Sequence, residues 1–184
     1  SAFGEMTLLE VLVKSGIADA IATKLVSMKG NRRAIAETVE NNVRKTIVQK
    51  HLTDPAFYDK MSVLLAEVIA KRNEQAIDYE QYLKQIEALA RQVEEGQADN
   101  LPDELRTHPA RRALYHALVE RMESESAALE RARQIDETVT SVRPHGWRGV
   151  LAKERVIMQA LFEIVGDEDE VKRLFAIIKA QSEY

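Results

Sequence analysis

Between Asn31 and Lys50 the apolar residues Ile35, Val39, Val43 and Ile47 recur at every fourth position, a period that fits one face of an α-helix and no strand. A half-buried strand needs alternation of two, and no segment of this chain shows it. The same helical spacing returns along the whole sequence, so the fold expected is all-α, a bundle of about eight to ten helices.

Leu8, Leu9, Val11, Leu12 and Val13 form one short apolar helix, and Gly16 separates it from a second carrying Ile17, Ile21, Leu25 and Val26. Asn31 is placed to cap the striped helix that follows. Asp54-Pro55 is a helix start, since Asp satisfies free amides while proline at the first position forfeits no hydrogen bond. Phe57, Met61, Leu65, Val68 and Ile69 line that helix. Asp78, with Gln81 as in a capping box and Ile77 and Tyr82 at staple spacing, opens the next, which runs through Ile86, Leu89 and Val93 to Gly96. Asp54 to Val93 therefore reads as a helical hairpin.

Between Glu94 and Glu104 lie five acidic residues, no basic one and Pro102, the composition of an exposed linker or lobe boundary. Beyond it, Thr107 or His108 before Pro109 opens a helix with Leu114, Leu118 and Met122. Leu129, Ala132, Ile135, Val139 and Val142 mark the next. Val156, Ile157, Ala160, Leu161 and Ile164 make another, ended by Gly166. Asp167 with Glu170 begins the last, through Val171, Leu174, Phe175 and Ile178. At 184 residues the chain reads as a single domain over 1–184, with a possible division near 94–108, and one lobe or two adjoining lobes both fit.

The break Arg143-Pro144-His145-Gly146-Trp147-Arg148-Gly149 holds the only tryptophan, in a chain with 5% aromatic residues. A lone Trp between glycines and arginines is either a surface anchor or a buried plug at a helix junction.

Several function classes are closed by composition. With no cysteine there is no disulfide, zinc-thiolate site, iron-sulfur cluster or cysteine nucleophile. A net charge of −4 opposes phosphate binding by the surface as a whole while leaving local patches open. No apolar run nears the roughly 20 residues that span a bilayer, and Ser1-Ala2-Phe3-Gly4-Glu5 lacks the basic start of a secretory signal. The expected setting is cytoplasmic, without a membrane partner. The chain opens on Ser rather than Met, so a fragment of a longer protein is expected, with catalytic machinery upstream.

A search for chemistry returns little. The seven glycines are scattered and form no phosphate loop. His51, His108, His116 and His145 make no H-E-x-x-H pattern, and His116 with Glu120 reads as a surface pair rather than a metal site. The run Asp167 to Glu170 lacks the central Gly of a calcium loop and is accounted for as a helix start. No catalytic, cofactor or metal residue is therefore assigned, and the segment itself is expected not to be an enzyme.

Two basic clusters stand out: Arg32, Arg33, Arg44, Lys45 and Lys50 on or near one helix, and Arg143, Arg148, Lys153 and Arg155 around the tryptophan. Both read as solvated faces or partners of carboxylates; Arg44, Lys45, Lys153 and Arg155 are the candidates for contact with DNA phosphates. Asn41-Asn42 in mid-helix is locally unfavourable. It is either an exposed pair, or Asn42 or Glu40 bonds a neighbouring helix or a partner and fixes register.

Three stretches occur in an order that resembles the C-terminal helical region of the R (motor) subunit of type I restriction endonucleases. The first is Ala34-Ile35-Ala36-Glu37-Thr38-Val39-Glu40-Asn41-Asn42-Val43-Arg44-Lys45 with Asp54-Pro55-Ala56-Phe57-Tyr58-Asp59-Lys60-Met61. The second is Ile77-Asp78-Tyr79-Glu80-Gln81-Tyr82-Leu83. The third joins Gly146-Trp147-Arg148-Gly149 to Ile177-Ile178-Lys179-Ala180-Gln181-Ser182-Glu183-Tyr184. The resemblance implies a parent that is an ATP-dependent site-specific deoxyribonuclease, with its nuclease and two helicase-like domains upstream and ATP and Mg bound there. It further implies that this region attaches the motor to the methyltransferase core of modification and specificity subunits. Trp147, Arg148, Arg143 and Asn42 are then candidate interface residues, with Trp147 and Arg148 shaping the interface or bracing the helices behind it. The alternative is a module that guides DNA near the motor. Self-association of the segment is a further expectation, because exposed docking surfaces pair when their partner is absent.

Overall fold

The computed structural model describes residues 4–184; Ser1–Phe3, part of the opening read for a secretory signal, lies outside them. Among the described residues every regular element is helical: α1 Leu8–Ser15, α2 Ile17–Lys24, α3 Arg32–Lys50, α4 Pro55–Asn73, α5 Tyr79–Glu95, α6 Asp103–Arg106, α7 Pro109–Val119, α8 Glu125–Val142, α9 Leu151–Val165 and α10 Glu168–Lys179, with short 3-10 turns at Val26–Met28 and His51–Thr53. None of these helices is long and apolar enough to cross a membrane.

The chain divides into two compact units, Ser1–Lys50 with Tyr58–Asn100, and His51–Phe57 with Leu101–Tyr184. The break after Asn100 falls inside the acidic segment. That segment is nevertheless only half a linker. Leu101 and Leu105 are buried, Asp103–Arg106 forms α6, and Glu104 receives Arg133 at 2.7 Å. The expectation of an exposed stretch as far as Glu104 is corrected accordingly: net acidity hid two leucines four residues apart.

In the first unit the stripe of α3 is buried throughout, at Ile35, Ala36, Val39, Val43 and Ile47, and α5 contributes Tyr82, Ile86, Leu89, Ala90 and Val93. Asn31 Oδ1 accepts the Ala34 amide at 3.0 Å, and Asp78 Oδ1 accepts that of Gln81 at 2.8 Å. The hairpin of α4 and α5 is antiparallel, with the Tyr58 hydroxyl donating to the Val93 carbonyl at the far end of α5. The turn that joins them leaves α4 through Gln75 at φ 56°, a left-handed position that ordinarily falls to Gly. The junction of α1 and α2 is stitched to α5 by one ion pair. Glu87 accepts the Ile17 amide at the start of α2, and Arg91 donates to the Val13 carbonyl near the end of α1. One carboxylate and one guanidinium thus satisfy opposite helix ends, each matched to the local dipole.

In the second unit α7 packs against α8 and α10, α9 against α8 and α10. Leu105, Leu114, Leu118, Ile135, Val139, Ile157, Leu161, Leu174 and Ile178 form the core; each fully buried Leu or Ile stabilises by about 1.5–3 kcal/mol. The core face of α9 is Glu154, Ile157 and Leu161, while Val156, one of the apolar residues that mark this helix in the sequence, is exposed. Apolar residues outnumber the positions that one face of α9 can bury, so the sequence left its rotation open.

Helix ends in this unit are satisfied by long-range side chains. Asp54 Oδ1 accepts the Phe57 amide at the start of α4, and its Oδ2 lies 2.7 Å from His116 Nδ1, whose ring stacks on Phe57 at 5.4 Å. His116 therefore pairs with Asp54, not with Glu120. Glu183 accepts the Ala110 amide at the start of α7, and buried Arg112 donates to the carbonyls of Leu105 and Arg106 at the end of α6. At α10, Asp167 caps the Glu170 amide as expected, but the Glu170 carboxylate turns to Arg173 and Arg121. Half of the capping box is thereby replaced by ion pairs.

Candidate functional site

The tryptophan loop begins where Pro144, lacking an amide proton, ends α8, and it turns through Gly146 at φ 64° and Gly149 at φ 80°. These angles let the chain fold the Trp147 ring inward. The indole is 3% exposed and meets Phe175 at 5.9 Å in a tilted arrangement. Of the two readings of this residue, surface anchor and buried plug, the structure has the plug. Its Nε1–H meets no protein acceptor among the described residues.

Arg148 covers the outer face of the indole, its guanidinium 4.6 Å from the ring centroid. Its Nε donates to the Lys179 carbonyl at 3.2 Å, Nη2 to that of Gln181 and Nη1 to the main-chain oxygen of Tyr184. A planar five-donor cation thus ties the last carbonyl of α10 to two main-chain oxygens of the segment that follows it. Arg143 donates to the Glu183 carbonyl at 2.9 Å and lies over the Tyr184 ring. Lys153 donates to the His145 carbonyl at 2.6 Å. Glu154 accepts from Lys179 at 2.9 Å and from the Gly149 amide; the Lys179 bond, chiefly, holds its carboxyl below the usual carboxylate range. A hollow of about 450 Å³ opens beside the loop, lined by Arg143, His145, Trp147, Arg148 and Tyr184.

Beneath this clasp lies a buried polar lock. The Asp136 carboxylate takes Arg111 Nε at 2.9 Å and the Tyr184 hydroxyl. Burial, then the bond to Asp136, pushes the Tyr184 phenol well above its ordinary value. The first unit holds a counterpart. Glu40, 4% exposed, accepts from Arg72 at 2.7 and 2.9 Å and from the Tyr82 hydroxyl at 2.7 Å. Burial, then Glu40, raises the Tyr82 phenol likewise.

Arg143, Trp147, Arg148 and Lys153 meet in the tryptophan loop, and Arg155 stands exposed on α9. Asn42, Arg44 and Lys45 belong to the other unit. Asn42 Nδ2 bonds the Thr38 carbonyl of its own helix at 2.8 Å, so the register-fixing role falls to Glu40 rather than to Asn42. Arg44 is exposed and donates to Asn41, and Lys45 is exposed.

Asp136 and Arg111 were not among the candidates, although a signal for the first exists. Glu40 follows Ala36 by four and precedes Val43 by three, and Asp136 stands in the same relation to Ala132 and Val139. An acid in the register of a core stripe marks a buried carboxylate that needs a cation or hydroxyl. No group of His, Asp and Glu able to hold a metal ion occurs among the described residues. No known family profile, characterised protein or solved structure matches the chain.

Proposed function

We propose that this chain is a docking module that holds an upstream ATP-dependent DNA translocase and nuclease to the methyltransferase core of a type I restriction system. A motor reels DNA toward a site only if it is anchored there; otherwise it walks away. Such an anchor must transmit force without unfolding, which favours helices whose ends are tied by long-range polar contacts.

The observation that carries this reading is where the family-like stretches fall. Glu40 of the first stretch is bonded to Tyr82 of the second, and Trp147-Arg148 of the third encloses the closing segment from Lys179 to Tyr184. Residues that resemble the motor-subunit pattern thus supply part of the lock in each unit, with Arg72, Arg111 and Asp136 completing it from outside those stretches. ATP and Mg belong, on this reading, to the upstream domains.

Competition tests it. An excess of this protein, added to an assembling complex, displaces the full-length motor subunit from the purified modification-specificity complex and suppresses ATP-dependent translocation. Undiminished motor binding at saturating excess would refute the role. A second reading, guidance of duplex DNA, draws on the exposure of Arg44, Lys45 and Arg155. It requires salt-dependent binding of duplex that Arg44→Glu with Lys45→Glu weakens.

A further inference from the structure

Helix α9 carries more apolar surface than its own unit covers. Leu151 is 60% and Phe162 45% exposed, and between them Met158, with Val165 beyond, is only partly buried against the core. Leu151, Arg155, Met158, Phe162 and Val165 follow one another at spacings of four, three, four and three. That is the seam spacing of a helix that packs knobs into the holes of another. The seam runs beside the face that Glu154, Ile157 and Leu161 turn to the core.

Arg155 interrupts this row with a charge. Residues three and four positions away are Leu151, Ala152, Met158 and Gln159, so no carboxylate on its own helix can reach it. Adjacent Glu154 is committed to Lys179, and Arg155 makes no ion pair among the described residues. Covering the seam with a wholly apolar surface would strand a guanidinium away from water, which opposes binding. A carboxylate opposite it removes that penalty and fixes register.

We infer that this flank of α9 receives an amphipathic helix of a partner protein, whose apolar heptad seam presents an Asp or Glu to Arg155. The assignment rests on the docking role proposed above and names the face and chemistry of the contact. A parallel pairing of two copies places Arg155 against Arg155, so like charges oppose self-association in that register.

The purified modification-specificity complex is titrated into fluorescently labelled protein carrying no change, Arg155→Glu, Leu151→Gln with Phe162→Ser, or the α8 surface control Gln134→Arg. Circular dichroism and thermal melting verify that each variant is folded. Arg155→Glu and the double variant weaken binding by at least about tenfold, Gln134→Arg leaves it unchanged, and Arg155→Met lowers its sensitivity to salt. A photo-crosslinking residue in place of Phe162 is expected to join the protein to a helix of the complex, which supports the assignment whether or not a polar variant folds. Tight binding by the unchanged protein together with wild-type affinity in both α9 variants overturns the α9 assignment and leaves the docking role standing. Absence of binding by the unchanged protein overturns both. A homodimer, detected by sedimentation and dissolved by the α9 substitutions, overturns the heterotypic partner.

Discussion

Glu40→Ala should be among the most damaging substitutions in the first unit. Glu40 is 4% exposed, and its carboxylate accepts two bonds from Arg72 and one from Tyr82, all at 2.9 Å or less. Removal leaves a guanidinium on a side chain that is 19% exposed and a buried hydroxyl whose remaining acceptor is the Ala36 carbonyl at 3.3 Å. Breaking a fully buried ion pair from one side costs about 3–5 kcal/mol. The residual access of water to Arg72 lowers this to about 3 kcal/mol, or a fall in melting temperature of roughly 6–12 °C for a chain of this size. Replacing both partners removes the stranded charge, so Glu40→Ala with Arg72→Met should cost less than the sum of the single changes, with a coupling of at least about 1.5 kcal/mol. Urea denaturation of the four proteins, followed by circular dichroism, measures the cycle. A cost below about 1 kcal/mol for Glu40→Ala, or additivity within about 0.5 kcal/mol, would show that the pair behaves as a solvated one and refute the lock.

Other outcomes follow from the same contacts. Arg148→Ala should free the carbonyls of Lys179, Gln181 and Tyr184, costing about 1 kcal/mol at this partly solvated site, and hydrogen exchange should accelerate at the amides from Ala180 to Tyr184. Gln75→Gly should stabilise by about 1 kcal/mol, because the left-handed angle at this exposed turn costs a side chain and not glycine; thermal melting decides the sign. In a pH series, Tyr82 and Tyr184, raised from the ordinary 10.0 chiefly by burial, contribute stability in full below pH 10 that is lost as pH climbs further. Glu104, Glu154 and Glu170, lowered from 4.5 chiefly by their bonds to Arg133, Lys179 and Arg173, contribute fully above pH 4.5 and lose that stability as pH falls. These groups should therefore lower the denaturation midpoint toward both extremes of pH; a midpoint still rising beyond pH 10 would contradict the tyrosine assignments.

Periodicity made the helices legible because each needs a contiguous apolar face: Ile35 to Ile47 and Val171 to Ile178 could be read off directly, as could the caps at Asn31, Asp54, Asp78 and Asp167. What the sequence concealed was long-range and polar. Arg148 reaches carbonyls more than thirty residues away and Glu183 an amide seventy-three away, and no local pattern specifies such partners. The burial of Trp147 was undecidable for the same reason, since it depends on Phe175 arriving from α10. In α9 the surplus of apolar residues disguised which face turns inward. That same surplus is the seam assigned to a partner.

Direct titration of this protein with the purified modification-specificity complex, followed by sedimentation velocity, tests the docking role at its centre. A saturable complex of defined stoichiometry is expected, formed without ATP or DNA, in which this chain sediments with the larger assembly. A well-folded protein that continues to sediment alone at every concentration of the complex would contradict it.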